Sequence, residues 1–384
     1  MRYFLLILIK SKLLVTVFAG NKKLLTHLIL FLIISPMMTS CHSFGPDGLR
    51  GTYPLYNAAI VDSQNEQFLQ NIVRLHYRDP VFFLDVTSVT ASLKMDLAAS
   101  TNGTTVGFNG TTSQDILTLN AGGAYSSAPT ISYSPLQGEG FVKSILRPIS
   151  IEDVFALTDS GWSGRRVLGL CVEHINGLDN ASTASGPTPK VPPNHIDSFN
   201  RLLDLFDKVS GEDLINPRID PITKETQLEI KSSPAVRDAI WEIKALLGLD
   251  QNLDIYHVND DFMSQRRDTI SIRSRSLMSI FFYLSHHVDT PREHKTDGLV
   301  TVTLNKNGSA FDWGKTAGGG LFHIRNSEKQ PELPFVAIPY RGQWFYLADN
   351  DLESKSTFML LTQLFRLQAG AAKSVGPTLT LPVR

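Results

Sequence analysis

Apolar and polar positions alternate along this chain in two different rhythms, and the rhythm changes several times. Phe68, Leu69, Ile72, Val73 and Tyr77 recur at helical spacing behind Ser63-Gln64-Asn65-Glu66, a capping-box pattern, and Asp79-Pro80 follows as a stop. From Phe82 to about Tyr133 the chain is rich in Thr, Ser, Val and Gly in short alternating stretches, with Asn102-Gly103 and Asn109-Gly110 as turn signals. This predicts extended strands joined by a polar tip: either an ordinary surface hairpin with a loose loop or, since such alternation gives a weak core, a β-hairpin arm that pairs with something else.

Gly138 to Leu178 reads as three short helical pieces punctuated by Pro148 and by Gly161-Trp162-Ser163-Gly164, with Ser150 to Asp153 capping the second. Residues 181–193 have no apolar face and read as a loop or linker, which either divides two domains or leaves one. An amphipathic helix follows through Phe199, Leu202, Leu203, Leu205 and Phe206.

Beyond it, strands are expected at 228–230, 253–258, 269–273, 299–304, 321–324, 335–339, 343–347 and 379–381. Helices are expected at 234–247 and 276–286, and a third through Phe358, Leu361, Leu364 and Phe365, capped by Asp351. Strands and helices mixed without βαβ repetition predict an α+β fold in one globular body.

The N-terminus carries the strongest functional signal. Lys22-Lys23 precede an apolar run from Leu24 to Ile34; Ser35-Pro36 interrupts it, and Met38-Thr39-Ser40-Cys41 follows. A positive region, a hydrophobic region and small residues before a cysteine predict a lipoprotein signal peptide over residues 1–40, with Cys41 as the lipidated N-terminus. The run is too short for a bilayer core of ~30 Å at ~1.5 Å per helical residue. Residues 41–56 read as a tether, 57–180 as a helix, arm and helical region, and 194–384 as an α+β region. His42 is not the Asp of an inner-membrane retention signal, so the expected address is the outer membrane, facing the periplasm, anchored through lipid on Cys41.

Composition adds one constraint. The whole-chain charge of −1 becomes −6 once Arg2, Lys10, Lys12, Lys22 and Lys23 leave with the signal peptide, and an acidic body disfavours nucleic acid as a partner. Cys171 is then a lone thiol, read as a small buried hydrophobe.

No catalytic set and no cofactor site emerge. Gly314-Lys315-Thr316 lacks the earlier glycine of a phosphate loop, and Gly161-Trp162-Ser163-Gly164-Arg165 lacks the last glycine of a nucleophile elbow. His286, His287, Glu293 and His294 are metal-capable but lack zinc spacing, so no metal is expected. Asp349, Asp351 and Glu353 read as acids at a helix start. Beside Trp344 and Tyr346 they also suggest a sugar-holding hydrolase site. Arg266, Arg267, Arg273 and Arg275 form the one basic concentration, a candidate surface for an acidic partner or lipid headgroups.

Three stretches carry a resemblance: Asn65-Glu66-Gln67 through Asn71, Val73-Arg74-Leu75, Tyr77, Asp79-Pro80 and Phe83-Leu84; residues 129–138 (PTISYSPLQG); and Arg341-Gly342, Trp344-Phe345-Tyr346, 354–358 and 364–367. Together they resemble a family of uncharacterised proteobacterial lipoproteins over nearly all of the chain after residue 56. The resemblance implies a lipid-anchored envelope protein with one integrated fold and supplies no catalytic residues. The expected role is non-enzymatic, binding an envelope partner or assembling with itself. The alternatives are a periplasmic hydrolase of cell-wall or polysaccharide material and a lipid or small-ligand carrier.

Overall fold

The computed structural model describes residues 44–102, 118–187, 189, 191–194, 196–209, 214–261 and 266–370. Cys41, the signal peptide and the strand expected at 379–381 lie outside them. The chain is α+β and divides into two units. One holds residues 44–61 and 89–131 of the described chain, the other 62–88 and 132–370.

The first unit contains the start of α1 (Phe44–His76) and most of β1 (Leu84–Asn102) and β2 (Thr118–Pro135), which pair in a two-stranded sheet. The helix begins well before the capping box, which lies inside it, and runs through Pro54 and the stretch read as a tether. Extending an existing helix costs far less than nucleating one, so the strong segment after residue 57 carries its weaker neighbours.

In the second unit α1 ends with Arg78 in the left-handed region (φ 61). The Asp79 amide reaches back to the Arg74 carbonyl at 2.8 Å, closing the helix before Pro80. Three short helices follow, α2 (Glu139–Leu146), α3 (Ile151–Asp159) and α4 (Gly164–Cys171). The Ser150 hydroxyl accepts from the Asp153 amide at 3.0 Å and caps α3 as expected.

A mixed six-stranded sheet is built from β3 (Val172–Ile175), β4 (Leu178–Asp179), β5 (Ile215–Ile219), β6 (Thr226–Ile230), β7 (Ile255–Asn259) and β8 (Thr269–Ser274). Its order is β4-β3-β8-β7-β6-β5, and only β7 and β8 run parallel. Thr269 to Ile272 are buried in succession, which suits β8 to its place inside the sheet. Two amphipathic helices, α5 (Ile196–Val209) and α6 (Arg237–Leu246), bury their apolar stripes and pack together.

The remaining helices are α7 (Leu277–Ser285), α8 (Arg292–Thr296) and α9 (Leu352–Gly370). A second, antiparallel sheet comprises β9 (Arg325–Ser327), β10 (Pro334–Tyr340) and β11 (Gln343–Ala348), with β11 in the middle. Arg341 (φ 48) and Gly342 (φ 79) make the tight β10–β11 turn, the pair of positive φ values that a two-residue hairpin demands.

The core joins α1 to the C-terminal helix through aromatic rings. Phe68 meets Phe365 edge-on at 4.8 Å, and Phe83 lies 4.9 Å from Phe365 and 5.6 Å from Phe281. The expected strands at 299–304 and 321–324 reduce to isolated bridges, Leu304 with Ala310 and Ile324 with Val288. The chain between them folds on itself so tightly that a Cβ on Gly319 would fall 2.2 Å from the Gly314 carbonyl. Residues 181–193 loop out of one unit rather than dividing two: Ala181 and Ala184 are buried, and the Pro189 carbonyl accepts from Thr303 at 2.7 Å.

Candidate functional site

The C-terminal carboxylates are each engaged structurally. Lys355 Nζ lies 2.7 Å from Asp349 Oδ1. Asp351 accepts from the Ser354 amide at 3.0 Å and from its hydroxyl at 2.8 Å, capping α9. Glu353 is paired with Arg166, whose guanidinium also donates to the Glu353 carbonyl at 2.8 Å. Trp344 and Tyr346 are half-buried on one face of β11, opposite Pro339 and Ala337 of β10. Of the three acids, only Asp351 caps the helix; Asp349 and Glu353 are held by Lys355 and Arg166.

The four arginines do not make one basic surface. Arg266 forms a two-pronged pair with Asp268 at 2.9 and 2.6 Å, and that pairing holds the Asp268 carboxyl far below the usual range. Arg267 is exposed, and Arg273 is an exposed side chain whose Nε lies 3.3 Å from Glu173. Arg275 is only 1% exposed, so it leaves the candidate surface altogether. Its guanidinium donates to the Leu170 carbonyl at 3.1 Å, the Val172 carbonyl at 2.9 Å and the Asn180 carbonyl, satisfying the end of α4. A sequence motif of neighbouring arginines could not reveal that one of them points inward.

The histidines also separate. His294 Nδ1 lies 2.6 Å from the Tyr77 hydroxyl, and the His286 ring stacks on Trp313 at 4.6 Å. His287 lies between the Tyr283 carbonyl and Thr316 Oγ1, 3.1 Å from each. Burial lowers His286 to about 3 and His287 to about 4; it also lowers His76, bonded to Thr290, to about 4. Among the described residues no group of three or more His, Cys, Asp or Glu is placed to hold a metal ion. Cys171 is buried, and burial pushes its thiol up to about 12, as a packed hydrophobe requires.

Two clefts open in the second unit. One, of about 670 Å³, lies where Ser150 and Glu152 of the α3 start meet Asn259, Asp260 and Arg273 at the ends of β7 and β8. The other, about 680 Å³, is lined by Phe155, Trp162, Phe206 and Leu214. Glu152 accepts from Thr226 at 3.2 Å. No sequence motif joins Glu152 and Asp260, and only the fold brings them to one cleft.

The resemblance motifs meet at the root of β1. Gln67 exchanges two hydrogen bonds with the backbone of Leu84, at 3.0 and 2.6 Å. One helical turn on, Asn71 does the same with Phe82, at 2.8 and 3.1 Å. The two side-chain amides imitate a neighbouring strand and hold residues 82–84 extended. Leu136 at the end of β2 donates to the Phe83 carbonyl at 2.9 Å.

Asp79 is bound by Tyr340 and by Arg341 Nη2 at 2.8 Å, so the first and last motifs close on each other. Burial works against the Asp79 carboxylate, but the hydrogen bonds from Arg341 and Tyr340 outweigh it and hold the group below its usual range. These motifs therefore clamp α1 and the base of the strands to the sheet of β10 and β11.

The ribbon itself is the remaining candidate. β1 runs for 19 residues and β2 for 18, at about 3.3 Å per residue nearly 60 Å of strand. Among the described residues no helix is long and apolar enough to cross a membrane. Compared with protein families, with curated proteins and with solved structures, the chain matches none.

Proposed function

We propose that this chain is a lipid-anchored outer-membrane protein facing the periplasm, which works by assembling with another envelope protein or with its own copies rather than by catalysis. The observation that carries this reading is the long two-stranded sheet. A sheet of two strands is marginal in water and leaves unpaired N–H and C=O groups along its edges, so it gains most by acquiring a partner. The sequence around Cys41 and the resemblance to envelope lipoproteins support the address.

Intact mass of the membrane-extracted protein, beside Cys41→Ser, tests the anchor. Crosslinking in whole envelopes, with and without residues 98–125, tests the assembly. A diacylated chain starting at Cys41 and crosslinks lost on deletion are expected. An unprocessed N-terminus, or crosslinks indifferent to the deletion, would overturn the reading.

The second reading is a small-ligand carrier, favoured by two clefts whose size falls within the range of ligand sites. The hydrolase reading loses support, because Asp349, Asp351 and Glu353 are held by a lysine, a helix start and an arginine.

A further inference from the structure

Once β1 is known to be a single strand, its sequence has a clear period of two. Val89, Ala91, Leu93, Met95, Leu97 and Ala99 alternate with Thr90, Ser92, Lys94, Asp96, Ala98 and Ser100. Successive strand residues belong to opposite faces, so one face carries an unbroken apolar row and the other is polar except at Ala98. β2 repeats the pattern more weakly: Leu119, Ala121, Tyr125 and Ile131 share one phase, and Thr118, Asn120, Ser126, Thr130 and Ser132 the other.

In a water-soluble protein such a face is covered by a second layer. The other described part of this unit is the start of α1, and from Tyr53 to Val61 that helix is exposed or at most half-buried, with Tyr53 65% and Leu55 70% exposed. Tyr53, Leu55 and Val61 of those turns are thus not buried against a second layer.

The row has the dimensions of a bilayer. The 11 residues from Val89 to Ala99 span about 36 Å at ~3.3 Å each. Tilted by ~45°, as strands of membrane barrels are, they cross about 25 Å, the height of the apolar band of such barrels. In β2 the stretch from Thr118 to Ala128 has the same length; Pro129 follows, and its missing N–H ends the run that can be paired on both edges. Hydrocarbon does not tolerate open edges, so two strands alone cannot enter it. Further copies can supply the missing strands, because a repeated head-to-tail contact closes a ring.

We propose that the β1–β2 ribbon is one wall segment of a transmembrane β-barrel that further copies of this chain complete. The odd-numbered row faces lipid, and Thr90, Ser92, Lys94 and Asp96 face an aqueous lumen. The outer edge of β2 pairs with the outer edge of β1 in the next copy. This inference rests on the envelope-assembly reading and makes it specific: the partner is a second copy, and the place is inside the membrane.

The test uses the mature full-length chain in vesicles of phosphatidylethanolamine and phosphatidylglycerol. Single cysteines are placed in turn from 91 to 97 and carry a polarity-sensitive fluorophore; the unsubstituted chain, with Cys171 buried, gives the labelling background. Emission should alternate with a period of two, with positions 91, 93, 95 and 97 blue-shifted and quenched from within the lipid, and 92, 94 and 96 aqueous. Leu93→Arg should abolish release of a trapped small dye, while Ser92→Arg, one residue away with the same new charge, should retain it.

A homo-oligomer crosslinked in envelopes but aqueous at every position overturns the barrel and leaves the assembly reading standing. Capture of a different protein by an aqueous ribbon also overturns the barrel and assigns the arm to that partner. A chain that neither inserts nor crosslinks overturns both.

Discussion

The guanidinium of Arg275 lies 4.1 Å from the centre of the Tyr283 ring, and both side chains are fully buried. A charge this deep has the α4 carbonyls and an aromatic face in place of water, and burial still lowers its affinity for the proton. Tyr283 is fixed in turn by the Gly318 amide, which donates to its hydroxyl at 2.7 Å.

Arg275→Met should therefore be costly. It leaves the carbonyls of Leu170 and Asn180 without this donor, while the Val172 carbonyl keeps the Asn180 side-chain amide at 2.8 Å, and each stranded group costs about 1–3 kcal/mol. A loss of roughly 3 kcal/mol or more is expected in urea unfolding of the full chain. A change within about 0.5 kcal/mol, the usual range for surface sites, would show that the network relaxes without it.

Stability should fall in mild acid. In the unfolded chain His76, His286 and His287 take up protons below about 6.5. In the folded chain burial delays this to about 4, about 3 and about 4. Stability from these groups is complete above pH 6.5 and declines as pH falls towards 4, because the unfolded state then binds more protons. Melting temperature measured from pH 7.5 to 4.5 should drop most below 6.5, and His287→Gln should flatten the slope.

Gly318→Ala tests the same region sterically. A Cβ there would lie 2.8 Å from His287 Cε1 and 2.9 Å from Tyr283 Cε1, two ring atoms fixed by hydrogen bonds. Overpacking of this kind costs about 1–3 kcal/mol. The loss should appear in thermal unfolding, and an unchanged transition would mean that the rings move aside.

Asn71→Leu removes the buried half of the clamp on β1. Its two bonds to Phe82 are lost and that backbone is left unpaired, at about 1–3 kcal/mol for each stranded group. Hydrogen exchange should accelerate at Phe82 and Leu84 while the amides of β8 remain protected. Uniform acceleration would make Asn71 a global stabiliser instead.

Cys171 should not react with a maleimide reagent in the folded protein and should react fully in denaturant, since its thiol is buried and pushed up to about 12. Rapid labelling of the native chain would refute the packing around α4.

Much of the fold was legible where one residue pattern dictates one local structure. Ser150 and Asp351 cap the helices they were expected to cap, and Arg341-Gly342 makes the expected turn. The α1 start lies earlier than the sequence predicts because Gly45, Gly48, Gly51 and Pro54 are weak helix formers that a strong continuation overrides. The strands at 299–304 and 321–324 failed because apolar runs without a paired neighbour read alike whether they form strands or buried loops.

The arginine surface was legible only in part, for a related reason. Sequence shows that Arg273 and Arg275 are close, and only the fold shows that one is exposed and the other is at the end of a helix. The period of two in β1 was partly visible, but the turn-rich sequence after it obscured how long the uninterrupted strand is.

The clamp formed by Gln67 and Asn71 also bears on how this chain can vary. Both amides bind main-chain groups of Leu84 and Phe82, whose own side chains are 37% and 48% exposed, while Phe83 between them is buried. The contact recognises the spacing and direction of the backbone, so side chains at 82 and 84 are free to drift while those at 67, 71 and 83 are not. A lineage could recolour the first residues of the strand, changing their charge or their greasiness, and keep the backbone grip that holds them extended.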